Sequence, residues 1–546
     1  MHHLARLSLD LRSRRVALVL GLAAVLGGWF WLALGPQLIG PSDWDDTMYA
    51  ERALTGAFVW DVRNRYVHVW ALRVIDSLLP SHRLAGAAWG ALCVCGLAGL
   101  AFFAGKRIAG LWAGWLALVA CLVFPPMLKY LSVPHVDFTV ALFGVAAVVA
   151  AVVAVETPST RHAWIAALLS GLCGFLALKS KETGLVAPPL AAFVLIGAAR
   201  GRGQRLGVWL VGLTLGLALL FALDQRFAPD AKQRASDLRH YFSVPKEAPT
   251  KLSAGPRSPK AVHSDEVLDL MTRPAFLAFT LLGCAGLARH GRRSAMARVL
   301  GLWALSVLAF TALVSFRSRG VDAQDRYVIA AGATLAPLAA AWVVGLVREP
   351  IQRTSSLFYA GLLVAVAGPA LWGLWYVHLG QPSVAQARAA QLLTPLGLLL
   401  LFLAAFFVQR WLAAACALLL LVVSSLLGLD DAASYRAMKR HELAPWLALA
   451  ERVDHASSPP RIAVLRGHSY HANRLRWRLR VLSRQPTLRI HVRDIQRVEQ
   501  VDDADWVFVG QAREMREREL EGRKFEQVLS LDADPRPWTL YSRAIP

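Results

Sequence analysis

Apolar runs, each near the length that crosses a bilayer, alternate with short polar loops through the first 429 residues. They lie at 16–35, 83–104, 108–124, 136–155, 162–178, 185–199, 206–223, 274–288, 299–316, 327–347, 357–378, 393–408 and 411–428. A helix needs about 20 apolar residues to cross the hydrocarbon core, so the pattern predicts about 13 transmembrane helices. After residue 429 the pattern changes. Residues 430–546 are polar, with short β-like runs at 461–465, 488–492, 506–509, 525–531 and 538–542. Helical stretches near 440–453 and 511–522 lie between them. The expected architecture is a polytopic α-helical membrane domain, 1–429, followed by a small soluble α/β domain, 430–546.

Charge assigns a side to each loop. Arg12, Arg14 and Arg15 precede the first run, which ends in Trp29, Phe30 and Trp31 without a small-residue cleavage site. That reads as an uncleaved anchor with a cytoplasmic N-terminus. The inner loops then hold Lys106, Arg107, Arg161, Arg200, Arg202, Arg205, Arg289, Arg292, Arg293, Arg298, Arg348, Arg353 and Arg410, with acids nearly absent. An odd span count puts the C-terminus outside.

Composition agrees with this reading. The chain is 56% hydrophobic, with 59 Lys and Arg against 37 Asp and Glu, a net charge of +22. The basic excess sits in short loops between apolar runs and is not gathered on one soluble surface, so it predicts topology, not nucleic-acid binding. The six cysteines all fall inside apolar runs, which argues against a disulfide framework.

Four outer segments carry the candidate chemistry. The first, 36–82, opens with Asp43, Asp45 and Asp46, followed by Tyr49 and Ala50. Further on, Val67, Trp70, Ala71, Val74, Ile75 and Leu78 recur at helical spacing beside polar Arg65, Arg73 and Asp76, as in an amphipathic helix lying in the membrane interface. The second, 125–136, holds Lys129, Tyr130 and His135 and leads to Asp137. The third is Lys179-Ser-Lys181-Glu-Thr-Gly184, and the fourth, 316–327, contains Arg317, Arg319, Asp322, Asp325, Arg326 and Tyr327. A longer outer loop, 224–273, is basic and aperiodic, rich in Pro, Lys and Ser around 245–259. It is expected to be mobile, either solvated or closing over a phosphate.

Charge at span boundaries is costly and tends to be functional. Acids and cations on one side suit transfer of a group away from a phosphate. A carboxylate takes a proton from the attacking hydroxyl or amine, and cations hold the departing phosphate. Each residue also has a plainer reading. Asp43, and less well Asp45 or Asp46, can cap the helix that begins near Thr47. Lys181 can pair with Glu182, Arg326 can snorkel, and His68 and His135 read as interface histidines.

In order and sidedness these motifs resemble the GT-C glycosyltransferases, most closely the branch of protein O-mannosyltransferases and the bacterial transferase that adds aminoarabinose to lipid A. There an acidic pair, usually Asp-Glu, precedes a Tyr-Ala-containing helix in the first outer loop. Asp45-Asp46-Thr-Met-Tyr49-Ala50 matches, with Asp46 in place of Glu. Asp137 stands where a second acid opens a span. Lys181-Glu-Thr-Gly184 with Pro188 resembles the Lys-Gly-Pro pattern of the next span, and Arg326-Tyr327 resembles an Arg-Tyr at a late span start.

The resemblance covers most of residues 10–350. It implies a GT-C-like membrane fold in a bacterial inner membrane and a periplasmic active site. The donor would be a polyprenyl-phosphate-linked sugar and the acceptor a lipid, glycan or protein. Asp45 would be the general base of an inverting transfer, with Asp46 and Asp137 beside it. Lys181 would contact the phosphate, with Lys179, Arg317, Arg319, Arg326, Tyr49 and Tyr327 as further binding candidates. Many members need no metal, and a divalent ion between Asp45 or Asp46 and Asp137 stays open. A sugar-lipid flippase and an O-antigen-type ligase or polymerase are the competing readings. A flippase would carry its charges at mid-membrane, and the ligase would rely on arginine and histidine instead of an aspartate base.

Overall fold

The structure, a computed structural model, describes residues 65–79, 82–130, 135–198, 201–227, 274–317 and 328–348. It also describes residues 50 and 53, scattered positions between 414 and 444, and parts of 446–543. Helices are α1 (Tyr66–Asp76), α2 (His82–Ala109), α3 (Leu111–Leu122), α4 (Pro125–Tyr130), α5 (Val136–Glu156) and α6 (Thr160–Leu178). A 3-10 turn (Glu182–Val186) leads into α7 (Ala187–Ile196), followed by α8 (Arg202–Phe227), α9 (Pro274–His290), α10 (Ala295–Arg317) and α11 (Ile329–Arg348). Among the described residues, each apolar run from 83–104 to 327–347 is therefore mostly helical, with 108–124 broken at Gly110, and run 411–428 is helical at 414, 417, 418, 421, 422 and 425. Runs 16–35, 357–378 and 393–408 lie outside the described residues, as does most of loop 224–273.

Among the described residues, five stretches are long and apolar enough to cross a membrane: Ala85–Ala109, Val136–Glu156, Thr160–Leu178, Arg202–Leu223 and Ile329–Val347. α11 is the hub and packs on α2, α3, α5, α9 and α10. Its most apolar stretch is 94% buried, against 17% for α8. The difference follows from side-chain size. α11 is alanine-rich, which favours helix and lets neighbours approach closely. α8 turns Leu210, Val211, Leu215, Leu217 and Phe221 outward, the surface expected of a lipid-facing helix.

Where α6 crosses α8 the backbones meet. A Cβ on Gly171 would collide with the carbonyl oxygen of Trp209, and one on Gly212 with that of Leu168. Small residues permit this approach, and packing in lipid depends on it. Gly171→Leu is expected to force the pair apart at a cost of about 1–3 kcal/mol. The check is the thermal unfolding midpoint in nanodiscs, and an unchanged midpoint would refute this crossing.

Helix α1 differs from its sequence reading. α1 buries Val67, His68, Val69, Trp70 and Leu72, whereas Val74 and Leu78 are exposed. The helix is therefore not held by one continuous apolar face. Its first two turns dock into the bundle, with Val67 and Trp70 against Phe175, Leu176 and Leu220. Only its last turn presents apolar groups outward. Tertiary packing has displaced the simple amphipathic stripe.

Toward the C-terminus a five-stranded sheet has order β2-β1-β3-β5-β4. The strands are β1 (Arg461–Leu465), β2 (His491–Ile495), β3 (Trp506–Gly510), β4 (Phe525–Leu531) and β5 (Trp538–Arg543). β2-β1-β3 run parallel and β3-β5-β4 antiparallel. Alternate residues serve opposite faces. Ile462, Val464, Phe508 and Leu540 pack on Trp446, Leu449 and Val453, while Ala463, Val507, Val509 and Tyr541 pack with Leu520. Of the run at 488–492, residues 488–490 lie outside the described residues, and β2 is described from His491.

Candidate functional site

The site is built where two helical runs are interrupted. α5 starts after His135, whose extended backbone precedes the helix, and Asp137 lies in its first turn. A carboxylate there is favoured by the helix dipole. α6 stops at Leu178. Ser180 closes that end, its N–H donating to Ala177 O at 3.0 Å and its hydroxyl to Leu176 O at 2.6 Å. Lys181 is fully extended, with φ −167° and ψ 162°. The chain then turns through Glu182–Val186 and resumes as α7, with Pro188 and Pro189 in its first turn.

This break lets Lys181 turn inward. Its Nζ donates to Asp137 Oδ1 at 2.6 Å. The residues are 8% and 5% exposed, so the contact is a buried ion pair. Removing two charges from water is costly unless they meet with good geometry. The sequence left Lys181 between a phosphate contact and a pair with Glu182; in the structure its ammonium reaches Asp137. Gly184 makes the turn possible. Its N–H donates to Lys181 O at 2.9 Å, and the carbonyl oxygen of Ala177 occupies the space a Cβ would need.

At the far end of α5, about 30 Å away at 1.5 Å per residue, Arg107 Nη1 meets Glu156 Oε2 at 2.6 Å. That pair is one-third exposed, so the two ends of the bundle differ in kind: one carries a surface ion pair, the other an enclosed one.

α1 closes over the enclosed end. Val67 N–H donates to Lys179 O at 3.3 Å. His68 Nδ1 lies 2.8 Å from Thr139 Oγ1, and Trp89 Nε1–H donates to the same oxygen at 2.9 Å. Ala53 clusters with Val69, Leu72 and Val136, the residue before Asp137. His135 stacks edge-on against Tyr130, at 4.9 Å between ring centroids, and Tyr130 against Tyr435 at 5.2 Å. The Lys129 ammonium sits 5.7 Å from the centre of the Tyr130 ring and 5.4 Å from that of Tyr435. A residue beyond the last apolar run thus packs at the same end of the bundle.

Of the residues singled out from sequence, Asp137 and Lys181 are brought together. Lys179 flanks them, half-buried, and its carbonyl anchors α1. Arg317 ends α10. Asp45, Asp46, Tyr49, Arg319, Arg326 and Tyr327 lie outside the described residues. His68 and His135 are not interface histidines: they are 0% and 1% exposed. Their burial follows from the docking of α1 and from the Tyr130 contact. The His68–Thr139–Trp89 node was missed. Its only trace in the sequence is one polar residue inside Val67-His68-Val69-Trp70.

No three His, Cys, Asp or Glu side chains converge as metal ligands among the described residues. The ammonium on Asp137 Oδ1 would also repel a divalent ion at that atom. What the arrangement offers is an enclosed ion pair at a short turn, in a setting where its charges are weakly screened.

No protein-family model and no curated protein sequence matches the chain significantly. Solved structures do. The chain is similar to ArnT from Cupriavidus metallidurans in the apo state, at 17% identity and a TM-score of 0.56. It is also similar to the same transferase bound to undecaprenyl phosphate, at 16% identity and a TM-score of 0.57. Each match covers 97% of this chain and 98% of the other. Over nearly its whole length, then, the chain shares the fold of ArnT.

Proposed function

We propose that the protein transfers a sugar from a polyprenyl-phosphate donor to an acceptor at the periplasmic face of a bacterial inner membrane. The observation that carries this reading is the Lys181–Asp137 pair, enclosed at a helix break, in a fold shared with a transferase whose structure holds undecaprenyl phosphate. Asp45 takes the proton from the acceptor hydroxyl or amine. The acceptor attacks the anomeric carbon as the bond from that carbon to the phosphate oxygen breaks, with inversion. Lys181 stabilises the charge growing on the leaving polyprenyl phosphate, assisted by Lys179 and the arginines at 317, 319 and 326. Asp46 and Asp137 complete the acidic side. The sugar and the acceptor are the variables of the reading.

The test uses the full chain in nanodiscs with a panel of polyprenyl-phosphate sugars and a membrane extract as acceptor. Release of polyprenyl phosphate is expected, and Asp45→Asn should lower it by about 10²-fold or more, the usual share of a general base. Undiminished release in the variant would remove Asp45 as base. Donor crossing liposome membranes without release would replace the transferase by a flippase.

A further inference from the structure

We infer that His68 is a positioning residue that locks the first outer loop against the Lys181–Asp137 pair, with Thr139 as its receptor and Trp89 as the brace; this rests on the transferase reading above. Three observations converge on the first two turns of α1. The backbone of Val67 is tied to Lys179, two residues before Lys181. The side chain of His68 is tied to Thr139, two residues after Asp137. Ala53, Val69 and Leu72 pack on Val136, the residue before Asp137. Two turns of helix thus grip the segments that carry both members of the ion pair. The same turns belong to the stretch 36–82 that carries Asp45.

The hydrogen-bond inventory makes Thr139 specific. Indole N–H is only a donor, so Trp89 takes one lone pair of the Thr139 hydroxyl. His68 Nδ1 and the buried Cys93 thiol share what remains, the hydroxyl proton and the second lone pair. A hydroxyl can serve all three neighbours at once; a methyl serves none. All three side chains are enclosed or nearly so, and Thr139 and His68 are fully buried, so water cannot substitute. A node of this kind fixes relative position. In a transfer reaction it would hold in place the helix ends that carry Asp137 and Lys181, where a displacement near 1 Å costs about 10²-fold in rate.

The test pairs kinetics with hydrogen exchange in nanodiscs. Thr139→Val is near-isosteric and removes only the hydroxyl; Thr139→Ser keeps it. In Thr139→Val, kcat is expected to fall about tenfold or more, while the Kd for bare polyprenyl phosphate stays within about twofold, because Lys181 is untouched. Amide exchange should accelerate across 67–72 but not in the middle of α5. Thr139→Ser and His68→Asn, each able to remake the hydrogen bond, should recover most of the turnover. Undiminished kcat in Thr139→Val overturns the inference. So does loss of donor binding, turnover and thermal stability together in all three variants, since that marks a purely structural role. If the wild type shows no transfer, the proposed function fails and exchange decides the docking alone: unchanged exchange at 67–72 in Thr139→Val then overturns the inference as well.

Discussion

Lys181→Ala is expected to abolish transfer and to destabilise the bundle in the same stroke. The variant leaves the Asp137 carboxylate, 5% exposed, without the ammonium that meets it at 2.6 Å. Breaking a buried pair from one side costs about 3–5 kcal/mol, because a charge remains in a poorly solvating place. The rate effect is separate. Losing a cation that faces a leaving phosphate is expected to cost about 10²–10³-fold in kcat, as loss of one preorganised donor does elsewhere. The two effects can be pulled apart. Lys181→Met with Asp137→Val replaces the pair by apolar groups, a change that is often near neutral for stability. The double variant should therefore unfold close to the wild-type midpoint and still fail to release polyprenyl phosphate. Wild-type release by the double variant would make the pair a structural device only.

Gly184→Ala should come second in size, although it adds one methyl group. The carbonyl oxygen of Ala177 already stands where that methyl would go, and backbone is less able to yield than a side chain. The turn Lys181–Gly184 must open, and Lys181 moves with it, since its carbonyl accepts the Gly184 N–H. Overpacking is expected to cost about 1–3 kcal/mol, and displacement of the lysine about 10²-fold in turnover. Thermal midpoint and polyprenyl-phosphate release in the same preparation read both. Normal turnover in this variant would show that the turn tolerates widening and that Lys181 is not set by it.

The sequence already pointed to Gly184 as part of a Lys-Gly-Pro pattern, but without a reason for the glycine. The reason lies in the C-terminal end of α6, whose carbonyls come within contact of the returning chain. In the same way, Asp137 and Lys181 were each visible as charges at span boundaries. That they form one pair was not. His68 was misjudged because local pattern describes a helix surface in isolation. With Val67 and Trp70 turned toward α6 and α8, His68 is carried into the protein beside Thr139.

What the sequence determined by itself is everything with a short period. Apolar runs of bilayer length placed α2, α3 and α5 to α11 within a few residues, though not the short α4, and alternation placed β1, β3, β4 and β5. Helix and strand periodicity are properties of neighbours along the chain, so a linear reading recovers them. What only the tertiary structure decided is who meets whom: Lys181 with Asp137 across 44 residues, His68 with Thr139 across 71, and α6 with α8 through two glycines. Those choices depend on how closely helix backbones can approach and how they are rotated. Both are set by the summed packing of many side chains, which no single stretch of sequence contains.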